Sequence, residues 1–173
     1  MRPAPALHRH TRSRGLTLVE LMVMLLVVGL LAAVALPKYA ELQSRSRAGK
    51  VRATAQQLQV VASLLRSTAS GQGQDRSDSR AGSVTLDGEP IALVHCQPQA
   101  LPAFEHGVLG AARVVAADGW QLSLAGDFGG GSGPGKALAI EAMDAPQPAQ
   151  CAVVYTAATA SAPAHVATLT GGC

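Results

Sequence analysis

The chain opens with a short polar and basic stretch and then becomes apolar, and the sixteen residues of 21–36 carry no formal charge. Together with the residues just before them, they form a run that is long enough to cross a bilayer as a helix. We therefore predict a transmembrane segment over 16–36. Glu20 lies within it, and because a charged side chain is costly in a spanning helix, a residue of this kind indicates a function.

Beyond Pro37 the apolar positions change to an amphipathic pattern, which predicts that the helix continues. One apolar stripe repeats about every seven residues, and it consists of Val51, Thr54, Leu58, Val61 and Leu65. The sequence Gly71-Gln72-Gly73 is a typical helix stop. The predicted helix therefore occupies 16–70.

Inside this predicted helix, Pro37 and Gly29 favour a bend. Pro37 removes one main-chain donor and clashes with the preceding turn, and Gly29 loosens the helix further. We predict a long kinked helix whose first half lies in lipid and whose second half packs under a small head.

The head, 71–173, is predicted to be a small antiparallel β-sheet, so that the whole chain belongs to the α+β class. Residues 72–83 are polar and typical of a surface loop. Short runs at 83–86 and 89–94 flank Asp87-Gly88, which favours the tight turn of a hairpin. The further predicted strands are 112–116, 121–125, 137–142 and 152–156. With only 3% aromatic residues, the core must rely on Val, Leu and Ala.

Charge is divided unevenly along the chain. Lys and Arg number 14 against 11 Asp and Glu, but four of the arginines lie in 1–15, which leaves 10 against 11 in the remainder. A second basic group follows the apolar run and consists of Lys38, Arg45, Arg47, Lys50 and Arg52. We interpret this group as a solvated helix face. Anionic lipid and nucleic acid are the alternative partners, and the lack of interleaved aromatic residues argues against nucleic acid.

Sequence motifs for catalysis do not appear. The glycine-rich stretch 129–135 lacks the Lys-Ser/Thr ending of a phosphate-binding loop and is predicted to be a flexible turn. The histidines beyond the apolar run are scattered without the short spacing of a zinc site: His95, His106 and His165. We therefore predict no catalytic residue, no metal and no cofactor. The alternative is a calcium site formed by Asp118, Asp127 and Asp144, although their spacing is not that of a known calcium-binding loop.

The junction before the apolar run carries a specific pattern. Arg12-Ser13-Arg14-Gly15 is followed by Leu16 and, four residues later, by Glu20. This pattern resembles the cleavage signal of type IV prepilins, in which a basic leader ends in Gly, a hydrophobic residue follows and a Glu comes four positions later. Pilins also commonly carry the residues found here as Gly29, Pro37 and Tyr39. Many pilins have Phe at the place of Leu16, and the stretch 82–94 resembles pilins of the mannose-sensitive haemagglutinin type.

The resemblance implies a defined processing route. Residues 1–15 would be a leader that a prepilin peptidase and N-methyltransferase removes after Gly15 on the cytoplasmic side, methylating the new amine of Leu16. The helix of 16–70 would be retained, in contrast to an ordinary secretory signal. Residues 32–35, Ala-Ala-Val-Ala, do offer a secretory cleavage site. A cleaved signal and a plain membrane anchor therefore remain as alternatives.

The resemblance also implies a structural function. Glu20 of one subunit would pair with the Leu16 amine of its neighbour during assembly. The partners would be other pilin subunits, in a homo- or hetero-polymer, and an inner-membrane assembly platform. The chain would cross the inner membrane once before assembly and belong to an extracellular pilus afterwards, serving adhesion or motility. The alternatives are a pseudopilin of a type II secretion system, a DNA-binding minor pilin, and an anchored periplasmic binding module or enzyme that never polymerises.

Three cysteines follow the apolar run: Cys96, Cys151 and Cys173. A bond between Cys151 and Cys173 would attach the Ala- and Thr-rich C-terminal tail to the last predicted strand, and in pilins a disulfide commonly closes such a C-terminal loop. We therefore favour this pair. Cys96 would then be a buried apolar side chain, compete for Cys151, or pair with another chain. Within the resemblance, a C-terminal disulfide loop favours a pilus, whereas a calcium site in the head favours a secretion pseudopilus.

Overall fold

A computed structural model describes residues 17–72, 82–124 and 126–173. The predicted cleavage site, Gly15 and Leu16, and most of the predicted loop of 72–83 lie outside the described residues. The chain divides into two compact units between Glu41 and Leu42, and each unit is described separately.

Helix α1 runs from Leu18 to Gly71, over 54 residues, and ends at the stop that the sequence predicted. Gly29 and Pro37 lie inside this helix, and the kink attributed to them stays a prediction. Within the second unit, one face of α1 is buried against the head. The buried positions are Ala48, Val51, Thr54, Ala55, Leu58, Ala62, Leu65 and Ala69. Four of the five residues of the predicted apolar stripe are therefore buried and Val61 is partly buried, and the stripe is widened by alanines that let the head approach the helix closely.

The first of two antiparallel sheets contains the predicted hairpin. Strand β1 (Gly82–Leu86) pairs with β2 (Glu89–Val94), and β2 then pairs with the short β3 (Gln97–Pro98). Asp87 and Gly88 make the turn with φ angles of 51° and 91°. Both angles are left-handed, which is what a two-residue hairpin turn requires. The hairpin prediction is confirmed.

The second sheet has four strands in the order β4-β5-β6-β7. They are β4 (Trp120–Ser123), β5 (Ala137–Ala142), β6 (Ala152–Thr156) and β7 (His165–Leu169). Strands β5 and β6 have the predicted bounds. Strand β4 shares residues 121–123 with the strand that was predicted over 121–125. Strand β7 was not predicted and lies in the Ala- and Thr-rich C-terminal tail. The head therefore contains two small sheets where the sequence predicted one.

The predicted strand over 112–116 is wrong. A short helix, α2 (Gly107–Ala111), precedes it, and a 3₁₀ turn (Ala116–Asp118) ends it. The amide of Val114 donates to the Leu109 carbonyl at 3.0 Å, and the amide of Arg113 donates to the Gly110 carbonyl at 3.1 Å. These two bonds, with a left-handed φ of 53° at Arg113, form a Schellman cap, which turns the chain away from an extended conformation.

The core lies between α1 and the two sheets. Leu58, Ile140 and Tyr155 are fully buried in its larger part, and Leu65 and Ile91 are buried in its smaller part. Apart from Tyr155 and Trp120, the buried hydrophobic side chains of the described residues are aliphatic or Cys, which agrees with the low aromatic content. The sheets are linked by the Tyr155 hydroxyl, which donates a hydrogen bond of 2.7 Å to the Pro98 carbonyl.

Candidate functional site

The first half of helix α1 is an apolar surface that no described residue covers. Its large apolar side chains range from 47% exposed at Val27 to 70% exposed at Leu18. By length and composition, α1 is long and apolar enough to cross a membrane, with a mean hydropathy of 2.7 over its most apolar window. A surface of this kind is unfavourable in water, because roughly 25 cal/mol is lost for each Å² of exposed apolar area. The segment therefore needs lipid or protein around it.

Glu20 lies in the first turn of this surface and takes part in the start of the helix. Its main-chain amide donates a hydrogen bond of 3.2 Å to the Thr17 hydroxyl oxygen. Thr17 thus caps the helix, and Glu20 is the third helical residue, as in the Thr-x-x-Glu capping box. The sequence analysis missed the role of Thr17, although the spacing from Thr17 to Glu20 is the usual signal for such a cap.

The side chain of Glu20 is exposed, and no described residue donates a hydrogen bond or an ion pair to its carboxylate. A negative charge is favourable at this end of a helix, by about 0.3–1 kcal/mol at an exposed site, because it faces the positive end of the helix dipole. In lipid that gain is smaller than the cost of the charge. A cationic partner would offset the difference. The partner named by the resemblance, the Leu16 amine, lies outside the described residues, so this pairing stays a prediction.

Arg47, in the second unit, connects helix α1 to the C-terminal part of the head. Its Nε donates to Asp144 Oδ2 at 3.1 Å, and its Nη1 donates to the main-chain oxygen of Cys173 at 3.1 Å. The guanidinium is therefore bound to the head by both a carboxylate and a carbonyl. The interpretation of the basic group as a solvated face is wrong for this residue.

Lys50, one turn further along α1, makes a second connection. Its ammonium lies 4.5 Å from the centre of the Trp120 ring and donates a hydrogen bond to the Asp118 carbonyl. A cation over an aromatic ring contributes about 0.5–1 kcal/mol at an exposed site. Both Arg47 and Lys50 therefore hold the head on the helix. Their partners lie 97 and 68 residues away, and no local pattern identifies such partners.

A disulfide joins Cys151 to Cys173 across a separation of 22 residues, with the Cα atoms 4.8 Å apart. This is the pair that the sequence analysis favoured. Cys151 is fully buried and Cys173 is 7% exposed, so the bond is part of the core. Cys96 is half-buried in the turn between β2 and β3, where it packs against the smaller part of the core, and it takes a left-handed φ of 61°.

The residues considered for metal binding or catalysis do not come together in the described parts of the chain. No group of three or more His, Cys, Asp or Glu side chains is close enough there to hold a metal ion. Asp144 is instead bound to Arg47. The glycine-rich stretch 129–135 is not a free turn, because the amide of Gly130 donates to the Ala137 carbonyl and the amide of Gly131 donates to the Ala100 carbonyl, each at 2.8 Å.

The described residues thus combine an uncovered apolar helix, which starts with a capped turn carrying one carboxylate, and a disulfide-closed head that is fixed to the same helix. Comparison of the chain with protein-family models, with curated proteins and with solved structures finds no match.

Proposed function

We propose that this chain is a pilin-like structural subunit of a type IV pilus, which enters the inner membrane through helix α1 and is then assembled into a surface filament. The observation that carries the proposal is the single continuous helix, Leu18–Gly71, whose first half is uncovered and whose second half is the spine of the head. The resemblance of the Gly15 junction to a prepilin cleavage signal supports it.

The uncovered half of α1 suits two successive environments. In the membrane, lipid tails surround its apolar side chains and its main-chain groups are satisfied within the helix. In a filament, the same side chains of neighbouring copies cover one another, so that apolar area stays out of water. A helix of this kind therefore needs no refolding when it passes from bilayer to polymer.

Glu20 determines how neighbouring helices align when the subunit passes from the membrane into the filament. Two opposite charges attract more strongly in a medium of low dielectric constant than in water, and a buried pair that loses one member is strongly destabilised. The carboxylate of Glu20 is therefore satisfied only when a neighbouring copy brings its Leu16 amine to the same depth. We propose that this requirement fixes the axial stagger between adjacent helices.

A pseudopilin of a type II secretion system is the nearest alternative, because it shares the N-terminal signal. The disulfide between Cys151 and Cys173 favours the pilus within the resemblance, since pilins commonly close the C-terminal loop in this way. The two assignments differ in where the polymer accumulates. A pilus is released from the cell surface by shearing, whereas a pseudopilin stays with the envelope.

The assembly role of Glu20 is tested with the Glu20→Val variant of the full chain in the cells that make it. We expect normal leader removal but loss of the subunit from the sheared surface fraction. Glu41→Val is the matched control, because Glu41 is an exposed carboxylate on the same helix, beyond the apolar run, where its ion pair with Lys38, at 3.4 Å, is open to solvent. Normal amounts of Glu20→Val in sheared filaments would contradict the pairing.

Processing is tested separately with Gly15→Trp, because the peptidase acts at that residue before assembly begins. We expect only the uncut form, seen as a band that is larger by the 15-residue leader. A band of mature size from this variant would show that the chain is cut elsewhere.

A further inference from the structure

Helix α1 and strand β7 border a groove of about 230 Å³ on the head. Its lining residues are Arg52, Ala55, Gln56, Gln59, Val166 and Thr168. Ala55 and Val166 are 5% and 8% exposed and form an apolar floor. The other lining side chains are exposed and polar. The groove can therefore receive one apolar side chain and place polar groups around it.

Arg52 is the only charged residue that lines the groove. Arg47, earlier on α1, pairs with the Asp144 carboxylate, whereas the guanidinium of Arg52 has no acidic partner among the described residues. A carboxylate brought to this edge of the head would pair with it. The groove thus favours an occupant that combines an apolar side chain with a negative charge.

The opposite edge of the same sheet presents such a combination. Leu124, just after β4, is 67% exposed, which makes it the most exposed large apolar side chain among the described residues outside α1. Phe128, four residues further on, is 38% exposed. Between them lies Asp127, which is exposed and has no cationic partner among the described residues. We call Leu124, Asp127 and Phe128 together the projection. Its apolar side chains match the apolar floor of the groove, and its negative charge matches the positive charge of Arg52.

A chain cannot fill its own groove with this projection. Strands β4 and β7 are the two edges of the four-stranded sheet and are separated by three strand spacings, about 14 Å at roughly 4.8 Å each. The groove and the projection therefore lie at opposite edges of the sheet on one head. A second copy can supply the missing half, and because different surfaces meet, the contact can repeat from copy to copy without closing.

We propose that Leu124 of one copy inserts into the groove between α1 and β7 of the next copy, where Asp127 pairs with Arg52. This inference rests on the proposed function, because it names a contact between heads within the polymer. It adds a specific head contact to the packing of the apolar helices.

The contact is tested first by photo-cross-linking in full-length chain. A benzophenone amino acid replaces Leu124, cells are irradiated, and cross-linked peptides from both the membrane extract and the sheared fraction are identified by mass spectrometry. We expect links to residues 52–59 or 165–169 of another copy. Links from the membrane extract would support the contact even if no filament were sheared from the cells, an outcome that would count against the proposed function alone. Sheared filaments without these links would overturn the contact and leave the proposed function standing.

Charge reversal gives an independent test. We expect Arg52→Glu and Asp127→Arg each to lower the amount of sheared filament roughly tenfold, which corresponds to about 1.4 kcal/mol per contact. The double variant should recover most of the loss, because the pair is restored with opposite polarity. Arg66→Glu is the matched control, since Arg66 is exposed on the same helix but does not line the groove. Equal assembly of all four variants, or a double variant no better than the singles, would overturn the pairing.

Discussion

Removal of the disulfide between Cys151 and Cys173 should destabilise the head by about 3 kcal/mol. The bond closes a loop with a sequence separation of 22 residues. In the chain-entropy relation, cross-linking a loop of that length lowers the conformational entropy of the unfolded chain, which raises its free energy by about 3.4 kcal/mol at 25 °C. The variant Cys151→Ala/Cys173→Ala releases this constraint. It also frees Cys173, whose main-chain oxygen accepts a hydrogen bond from Arg47, so the connection between helix and C-terminus weakens as well.

Urea unfolding of the full chain in detergent measures this loss, with the emission of Trp120 as the probe. Trp120 is the only tryptophan and is 3% exposed, so its emission reports on the head. Cys96→Ala is the control, because it removes a thiol without opening the disulfide, and we expect it to cost less than about 1 kcal/mol. A loss below about 1 kcal/mol in the double variant would refute the view that the disulfide stabilises the head through the unfolded chain.

The remaining predictions concern the core. Leu58→Ala should lower the free energy of unfolding by about 2–5 kcal/mol, because it opens a cavity under α1. The control Val60→Ala, at a position that is 64% exposed, should change this free energy by less than about 0.5 kcal/mol. Equal effects of the two substitutions in the urea assay would contradict the packing of Leu58 in the core. Tyr155→Phe should cost about 1–3 kcal/mol at pH 7, since it leaves the buried Pro98 carbonyl without its donor. Burial raises the pKa of the Tyr155 hydroxyl above its ordinary value of 10.0, so the unfolded chain loses this proton at lower pH than the native head does. Stability should therefore be unaffected by this group below about pH 10 and fall above it, by at most about 1.4 kcal/mol per pH unit, and Tyr155→Phe should lack that fall. Parallel pH profiles of the two proteins above pH 10 would contradict this assignment.

Local signals were sufficient for several elements of the fold. The turn at Asp87-Gly88 fixes the first hairpin, because its residues tolerate the left-handed angles that the turn needs. The seven-residue stripe identified the buried face of α1 for a similar reason: helical periodicity depends only on spacing along the chain. Strands β5 and β6 are short apolar runs, and their bounds follow from the turn residues around them.

Other elements depend on contacts that no local pattern contains. Strand β7, His165–Leu169, is weakly apolar and becomes a strand through its pairing with β6. The run after α2 was mistaken for a strand because Val114 and Val115 favour extended structure, whereas the Schellman cap at Arg113 determines the backbone there. Local β preference is readily overridden by such a cap.

The candidate site shows the same division. The sequence drew attention to Glu20 by its charge within an apolar run and by its place four residues after Leu16, and the capping partner Thr17 follows from a spacing that was present but not used. The groove beside β7 could not be predicted, because it forms only where residues of α1 and residues more than a hundred positions later lie side by side.

The central claim is tested most directly by intact-mass and N-terminal analysis of the chain from sheared surface material and from membranes of the cells that make it. The account predicts a chain in the sheared material that starts at an N-methylated Leu16. The same chain confined to the membrane would favour the secretion pseudopilin over the pilus. A start beyond Ala33, or an uncut chain that begins at Met1, would contradict the account, because the helix would then have been removed or never processed for assembly.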